Sequence, residues 1–119
     1  MRLKSFEVAS IAFDLLKCLL IDHSNVASVL IKAHYLNFVL HYNKLLLSEN
    51  YIICRESLRL LGELLLQRAN FTTMMKYISD ADNLKIVMSL LRNKKARIQV
   101  EAFHVFKVAL KCCVLDPCF

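Results

Sequence analysis

The residues best suited to bind a ligand form a cationic stripe that carries one aromatic ring. Tyr51, Arg55 and Arg59 stand four residues apart within the segment SENYIICRESLRLLGELLLQRANF. Residues at this spacing lie on one face of a helix, so the three side chains share a surface. Arg68 and Phe71 follow beyond the end of the predicted helix. Guanidinium groups bind carboxylates and aromatic rings accept cations or apolar groups, so the pattern indicates binding and not catalysis.

The other reactive residue types are not arranged for catalysis. The four histidines are dispersed, and none stands at nucleophile–base spacing from a carboxylate: His23, His34, His41 and His104. His34 and His41 can share a helix face, but no third metal ligand lies between them. The single glycine, Gly62, lies inside a predicted helix, which excludes a glycine-rich phosphate loop. Its expected role is to permit close approach of a second helix, and we expect no enzyme and no cofactor.

Two further clusters contain metal-ligating residue types without the required spacing. Asp80 and Asp82 resemble the start of a calcium loop, but the glycine and closing glutamate are missing, so helix capping is the better interpretation. The C-terminal cysteines form no C-x-x-C pair and have no histidine at ligand spacing: Cys112, Cys113 and Cys118. The odd total of five cysteines predicts reduced thiols, two of them on buried helix faces: Cys18 and Cys54. No metal site is therefore expected.

The net charge of +6 comes in part from the run RNKKAR at residues 92–97, between two predicted helices. The simpler interpretation is a solvated turn near a helix C-terminus, where the helix dipole favours cations. The alternative is a surface for an acidic partner or a nucleic acid, but no nucleic-acid motif or aromatic stacking platform accompanies the charge. No stretch reaches the ~18 uncharged apolar residues that span a bilayer, and Glu7 and Asp14 interrupt any signal peptide. We expect a cytoplasmic protein that binds neither membranes nor nucleic acids.

Apolar residues recur at three- and four-residue steps along most of the chain, and glycine and proline occur once each. This pattern predicts seven amphipathic helices joined by short connections. They begin near Ser5, Ser24, Tyr35, Ser48, Asn70, Asp80 and Ala96, with Ser24, Ser48, Asn70 and Asp80 (or Asp82) as candidate N-caps. The predicted buried residues include Val26, Val29 and Leu30 in the second helix and Phe103 in the last.

The helices repeat at an interval of 45 residues, which aligns Phe13 with Leu58 and Phe103. A long helix followed by two shorter ones at this period predicts an all-α, armadillo/HEAT-like helical repeat, or α-solenoid, of about two three-helix repeats plus one further helix. Residues 1–111 are assigned to a single repeat domain and residues 112–119 to a short irregular Cys-rich tail. Because solenoids normally need three repeats and polar end caps, we expect marginal stability or self-association through the uncapped repeat ends.

Residues 48–108 resemble the C-terminal half of the calcium-binding protein 39 family, the Mo25-like or mouse-protein-25 scaffolds. The segments that carry the resemblance are SENY, SLRLLGELLL, NF, MKYIS, NLK, SLLR, IQ and EAFHVFKV, in order and without gaps. A weaker match, FEVAS followed by AF and then by HY and KLL segments, extends it back to about residue 5. The resemblance implies a helical, armadillo-like rod.

The resemblance further implies a non-catalytic scaffold that binds the sterile-twenty-related pseudokinase adaptor and supports the liver kinase B complex. Members also stimulate sterile-twenty-type kinases. A pocket of the family accepts a C-terminal Trp-Glu-Phe motif of the adaptor, with cations receiving the carboxylates and aromatic and thioether side chains receiving the rings. The pocket residues fall on seven positions of this sequence: Tyr51, Arg55, Arg59, Arg68, Phe71, Lys85 and Met88.

The sequence also departs from the family pattern. Arg59 and Cys54 stand where the family has lysine, and Asp80-Ala81 replaces a usual Lys-Pro. The N-terminal repeats of the family have no counterpart here, and the last helix is followed by ALKCCVLDPCF. The chain is thus interpreted as a truncated and diverged copy that keeps the peptide pocket. The alternative is a non-functional or oligomerising relic without kinase-activating ability.

Overall fold

The computed structural model describes the backbone of residues 2–115 and the side chains of residues 8–111. This part of the chain contains seven α-helices and no strand, which confirms the all-α prediction. The helices are α1 (Arg2–Lys17), α2 (Ser24–Ala33), α3 (Tyr35–Leu46), α4 (Tyr51–Leu66), α5 (Phe71–Ser79), α6 (Ala81–Leu90) and α7 (Ala96–Leu115). A π-helical turn, Cys18–Asp22, follows α1, and a 3-10 turn, Arg68–Asn70, precedes α5.

The predicted alternation of one long and two short helices is present. The long helices α1, α4 and α7 have 16, 16 and 20 residues. Two shorter α-helices follow α1 and two follow α4. Both α1 and α7 pack against α4, and the shorter helices cover the sides of this row. The molecule measures 49 × 33 × 21 Å along its principal axes. Stacked units in an elongated body confirm the helical-repeat prediction.

Helix α4 forms the centre of the core because it contacts helices of both repeat units. Its apolar residues are almost completely removed from solvent, among them Leu58, Leu61 and Leu64. Gly62 faces α7, and a Cβ built on it would lie 3.4 Å from His104 Cδ2 and 3.7 Å from Val105 Cγ2. Helix α7 does pass beside Gly62, but these are ordinary contact distances that an alanine would also allow, so the prediction that glycine is needed for the approach is wrong.

The caps agree with the sequence pattern at α6 and differ at α4. Asp80 caps α6 as predicted, since its carboxylate accepts a hydrogen bond from the Asp82 N–H at 2.9 Å. Ser48 is not the N-cap of α4. Asn50 takes that position, and its Oδ1 accepts hydrogen bonds from the Ile52 and Ile53 N–H groups at 3.0 and 3.4 Å. The Ser48 hydroxyl instead accepts from the Asn50 N–H at 3.1 Å, so it orders the residue that caps the helix.

Two other capping predictions also need correction. Helix α2 begins at Ser24 itself, and His23 occupies the cap position without a side-chain hydrogen bond. Asn70 precedes α5 as predicted, but its side chain makes no capping hydrogen bond. Its amide is buried and has no hydrogen-bond partner in the described part of the chain. Asn70 ends the 3-10 turn with φ −105° and ψ 5°, which differs from the extended backbone usual for a helix N-cap.

Several apolar residues predicted to be buried are exposed. In α2 the buried residues are Ala27 and Ile31, whereas Val26, Val29 and Leu30 lie on the exposed side. In α7, Phe103 is exposed because the helix packs on α4 and α6 through another stripe: Ile98, Ala102, Val105 and Ala109. Cys18 is also exposed, while Cys54 is buried as predicted.

Helix α7 continues to Leu115, so residues 112–115 of the predicted irregular tail have a helical backbone. The remaining predicted tail, 116–119, lies outside the described residues. Apolar side chains are exposed along α1 to α3: Val8, Ile11, Leu15, Leu19, Leu36 and Leu40. Self-association through this end stays a prediction. Within the described residues, no helix is long and apolar enough to cross a membrane.

A buried polar network joins the first repeat unit to the second. The Tyr77 hydroxyl donates to Asn43 Oδ1 at 2.7 Å, and Asn43 Nδ2 donates to Asn83 Oδ1 at 2.9 Å. Asn83 Nδ2 then donates to the Tyr77 carbonyl oxygen at 3.1 Å. Burial raises the pKa of Tyr77 above its usual range, so the hydroxyl remains a hydrogen-bond donor at neutral pH. The network fixes α3 against α5 and α6.

Candidate peptide-binding surface

The N-terminal half of α4 presents the predicted cationic stripe. Because Asn50 caps the helix, Tyr51 is its first residue, and four-residue steps place Arg55 and Arg59 on the same side. The guanidinium carbon of Arg55 lies 5.8 Å from the centroid of the Tyr51 ring. Tyr51 and Arg55 are half-buried and Arg59 is exposed. The structure thus brings these three predicted residues together.

Carboxylates hold the two guanidinium groups in place. Glu56 Oε1 lies 2.9 Å from Arg55 Nη2 and 3.6 Å from Arg59 Nη1. The hydrogen bond with Glu56 raises the pKa of Arg55 above its usual range, so the guanidinium stays charged. Arg59 Nε is also 3.9 Å from Glu101 Oε1 on α7. Ordered guanidiniums lose less conformational entropy on binding an anion than freely rotating side chains do.

The connection between α6 and α7 adds a cation that the sequence did not assign to the site. Lys95 Nζ lies 4.7 Å from the centroid of the Tyr51 ring, within the distance of a cation–π contact. The ring is therefore in contact with Lys95 as well as with Arg55. The only signal for Lys95 in the sequence is the basic run at residues 92–97. The position of Lys95 near α4 depends on how α7 packs, which the sequence pattern does not specify.

An open cavity of about 290 Å³ lies between this part of α4 and the first turns of α7. It combines guanidinium groups with apolar surface, and its lining residues are Arg55, Arg59, Ala96, Arg97, Val100 and Glu101. Arg97 was likewise not predicted as a site residue. A cavity of this composition can accept an anion that carries an apolar group.

Lys85 and Met88 form a second group on α6. They line an open cavity of about 380 Å³ together with Ser89, Leu91 and Arg92. Met88 is 48% exposed, although an apolar residue at this helical position would normally belong to the core. The thioether is therefore available to a partner, and Lys85 and Arg92 place positive charge beside it.

Arg68 and Phe71 lie beyond the opposite end of α4. Arg68 is in the 3-10 turn and Phe71 is the first residue of α5. From Tyr51 to the end of α4 at Leu66 the helix rises about 23 Å. Phe71 is 39% exposed, so its ring is accessible. The seven predicted residues are thus spread over an extended surface, and only Tyr51, Arg55 and Arg59 are in one contact group.

The described residues contain no group of three or more His, Cys, Asp or Glu side chains arranged to hold a metal ion. The features that the structure does show are a helical-repeat body and an exposed surface of ordered cations with accessible aromatic and thioether groups. This combination defines the chain as a helical-repeat protein with an exposed cationic surface.

Comparison with known proteins identifies the family. The Mo25-like family model matches residues 1–111, and the chain belongs to the Mo25-like family. It is 52% identical over 106 residues to a calcium-binding protein 39-like protein of Mus musculus, with 89% of this chain and 32% of the relative covered. It is also 51% identical over 104 residues to a Mo25-like protein of Schizosaccharomyces pombe, and this match covers 87% of this chain and 32% of the relative. The predicted family resemblance is confirmed.

A third relative, MO25-like protein 2 of Caenorhabditis elegans, is 50% identical over 103 residues, which cover 87% of this chain and 30% of the relative. The chain therefore spans about a third of the length of the curated relatives it matches. Membership in the Mo25-like family follows from these matches.

Proposed function

We propose that the chain is a non-catalytic scaffold module that binds a C-terminal peptide of the Trp-Glu-Phe type, carried by a sterile-twenty-related pseudokinase adaptor. Through this peptide it takes part in the regulation of the serine/threonine kinase liver kinase B in the cytoplasm. Sterile-twenty-type kinases are further proposed partners. The observation that carries the proposal is the group formed by Tyr51, Arg55 and Arg59, in which Glu56 orders both guanidiniums.

Two properties of the surface support a peptide with aromatic and acidic groups. Exposed Phe71 and Met88 offer apolar contact area to aromatic rings, and thioether–aromatic contacts are favourable. The surrounding cations supply charge-assisted hydrogen bonds for carboxylates. The net charge of +6 also favours the approach of an acidic segment through long-range attraction.

A fluorescence-polarisation titration with a labelled peptide ending in Trp-Glu-Phe tests the proposal. Saturable binding is expected for this peptide and no binding for the same peptide with both aromatic residues changed to alanine. Met88→Ala should weaken binding by roughly tenfold, a loss typical of an interface residue that contacts a ring. Arg55→Glu should abolish binding because it places a carboxylate beside Glu56 and reverses the charge of the site.

The matched control is Lys94→Glu, which makes the same change in net charge at a position that lines neither of the two cavities. Far-ultraviolet circular dichroism establishes that each variant is helical. If both peptides bind equally, or if Lys94→Glu weakens binding as much as Arg55→Glu, the site does not recognise the peptide and the proposed function is wrong. The chain would then be a relic of its family with respect to this activity.

A further inference from the structure

The cavity between α4 and α7 contains an arginine outside the predicted pocket. Arg97, in the first turn of α7, lines it together with Arg55 and Arg59 of α4. Arg97 is exposed and, among the described side chains, it forms no ion pair. Its five guanidinium donors are therefore free to bind an anion that enters the cavity.

The charges around the cavity favour a ligand with one negative charge. Three guanidiniums face two carboxylates, Glu56 and Glu101, of which Glu56 contacts Arg55 and Arg59 and Glu101 contacts Arg59. Among these groups one positive charge is left uncompensated, and it belongs to Arg97; Lys95 contacts the Tyr51 ring and does not line the cavity. A carboxylate balances this charge, whereas a phosphate with nearly two negative charges at pH 7 would exceed it and be repelled by both glutamates.

Two further observations fit an anionic ligand. The cavity lies beside the first turn of a 20-residue helix, where the helix dipole adds partial positive charge. Val100 and Ala96 give the cavity an apolar wall that can contact the carbon atoms carrying the carboxylate.

We propose that Arg97, with Arg55 and Arg59, forms a carboxylate-binding subsite and that Arg97 determines the specificity of this chain for acidic peptides. The inference rests on the proposed peptide-binding function and assigns to it a residue and a chemical group. The carboxylate is that of an acidic side chain or of the peptide C-terminus, and both present the same two oxygens to the guanidiniums.

Three peptides and three variants test the subsite. The peptides end in Trp-Glu-Phe, in Trp-Gln-Phe, and in Trp-Glu-Phe with an amidated C-terminus, so that each modified peptide lacks one carboxylate. The variants are Arg97→Ala, Arg97→Lys and Lys94→Ala, the last being an equal loss of charge three residues earlier, in the connection that precedes α7. Arg97→Ala should weaken binding of the unmodified peptide by roughly tenfold, as expected for loss of a charge-assisted hydrogen bond.

Arg97→Lys should weaken binding less than Arg97→Ala does, because lysine keeps the positive charge. The recovery should be incomplete, because lysine cannot form the bidentate contact of arginine. Lys94→Ala should change the affinity by less than about twofold, since exposed charges outside a binding site contribute little. One of the two modified peptides lacks the carboxylate that the subsite binds. The unaltered protein and the Arg97→Ala variant should bind that peptide with equal affinity. Backbone amide resonances of Ala96 and Arg97 should shift with the unmodified peptide and not with that modified peptide.

The outcomes separate the two proposals. If the unaltered protein binds the peptide but Arg97→Ala has no more effect than Lys94→Ala, the subsite is wrong and the peptide-binding function stands. If the Arg97→Ala loss is the same for all three peptides, Arg97 contributes only long-range charge and the carboxylate assignment is overturned. If the unaltered protein binds none of the peptides, the proposed function fails and the subsite fails with it.

Discussion

Replacing Asn83 should test whether the buried polar network holds the two repeat units together. Asn83 is 3% exposed and contacts both α3 and α5: its Oδ1 accepts from Asn43 Nδ2, and its Nδ2 donates to the Tyr77 carbonyl. Asn83→Ala removes both hydrogen bonds. The Tyr77 carbonyl still accepts from the Asp80 N–H at 3.3 Å, but the Asn43 amide loses its acceptor.

The expected cost follows from these contacts. Each of the two lost hydrogen bonds contributes about 1 kcal/mol, and the void left by the buried Asn83 amide adds to this. We therefore expect Asn83→Ala to lower the free energy of unfolding by about 2–3 kcal/mol. Tyr77→Phe removes a single hydrogen bond, the one from its hydroxyl to Asn43 Oδ1, and should cost about 1 kcal/mol.

The assay is urea denaturation followed by circular dichroism, with the free energy extrapolated linearly to zero denaturant. The matched control is Asn93→Ala, because Asn93 also bonds through Oδ1 but only to the neighbouring Lys95 N–H, at 2.9 Å in an exposed turn. It should cost less than about 1 kcal/mol. Because Asn43 bonds to both residues, the Asn83→Ala and Tyr77→Phe costs should not add in the double variant.

The reasoning would be refuted if Asn83→Ala lowered the free energy of unfolding by no more than Asn93→Ala does. Additive costs in the double variant would show that Asn43 does not couple the two residues. A change in the denaturant slope for Asn83→Ala alone would indicate that the two units no longer unfold together.

Three more predictions concern stability. Gly62→Ala should raise the free energy of unfolding by up to about 1 kcal/mol, because the new Cβ meets His104 at an ordinary contact distance of 3.4 Å and alanine favours the helix. Asn50→Ala should lower it by about 1 kcal/mol through loss of the α4 cap. Burial raises the pKa of Tyr42 and Tyr77 above the ordinary 10.0, so the stabilisation from their neutral hydroxyls is complete below pH 10 and decreases as the pH rises further.

Each of these has a direct measurement. Melting temperatures of Gly62→Ala and Asn50→Ala should move in opposite directions, and a lower melting temperature for Gly62→Ala would show that α7 cannot accommodate the methyl group. The melting temperature should decrease between about pH 8 and about pH 11. This decrease should be smaller in the Tyr42→Phe Tyr77→Phe double variant. An equal decline in that variant would assign the alkaline loss to other groups.

Local pattern determined the fold class, since apolar residues at three- and four-residue steps specify helices wherever the chain can bury one face. The 45-residue period further predicted that the helices form stacked repeat units. The all-α class and the helical-repeat architecture are both confirmed. The motifs shared with the Mo25-like family identified the family correctly. Tyr51, Arg55 and Arg59 were also placed on one face from their spacing alone, because a helix fixes that relation without reference to its neighbours.

Tertiary structure decided which apolar residues are buried and which polar residues meet. Periodicity gives the side that a helix can bury, but the neighbours set how much is covered, so Phe103 and Val26 are exposed. Asn83 joins two repeat units, and local pattern could not show this because its partner Asn43 is 40 residues away in sequence. Lys95 and Arg97 lie close to α4 only because α7 packs beside that helix. A local sequence pattern does not predict which helices pack together.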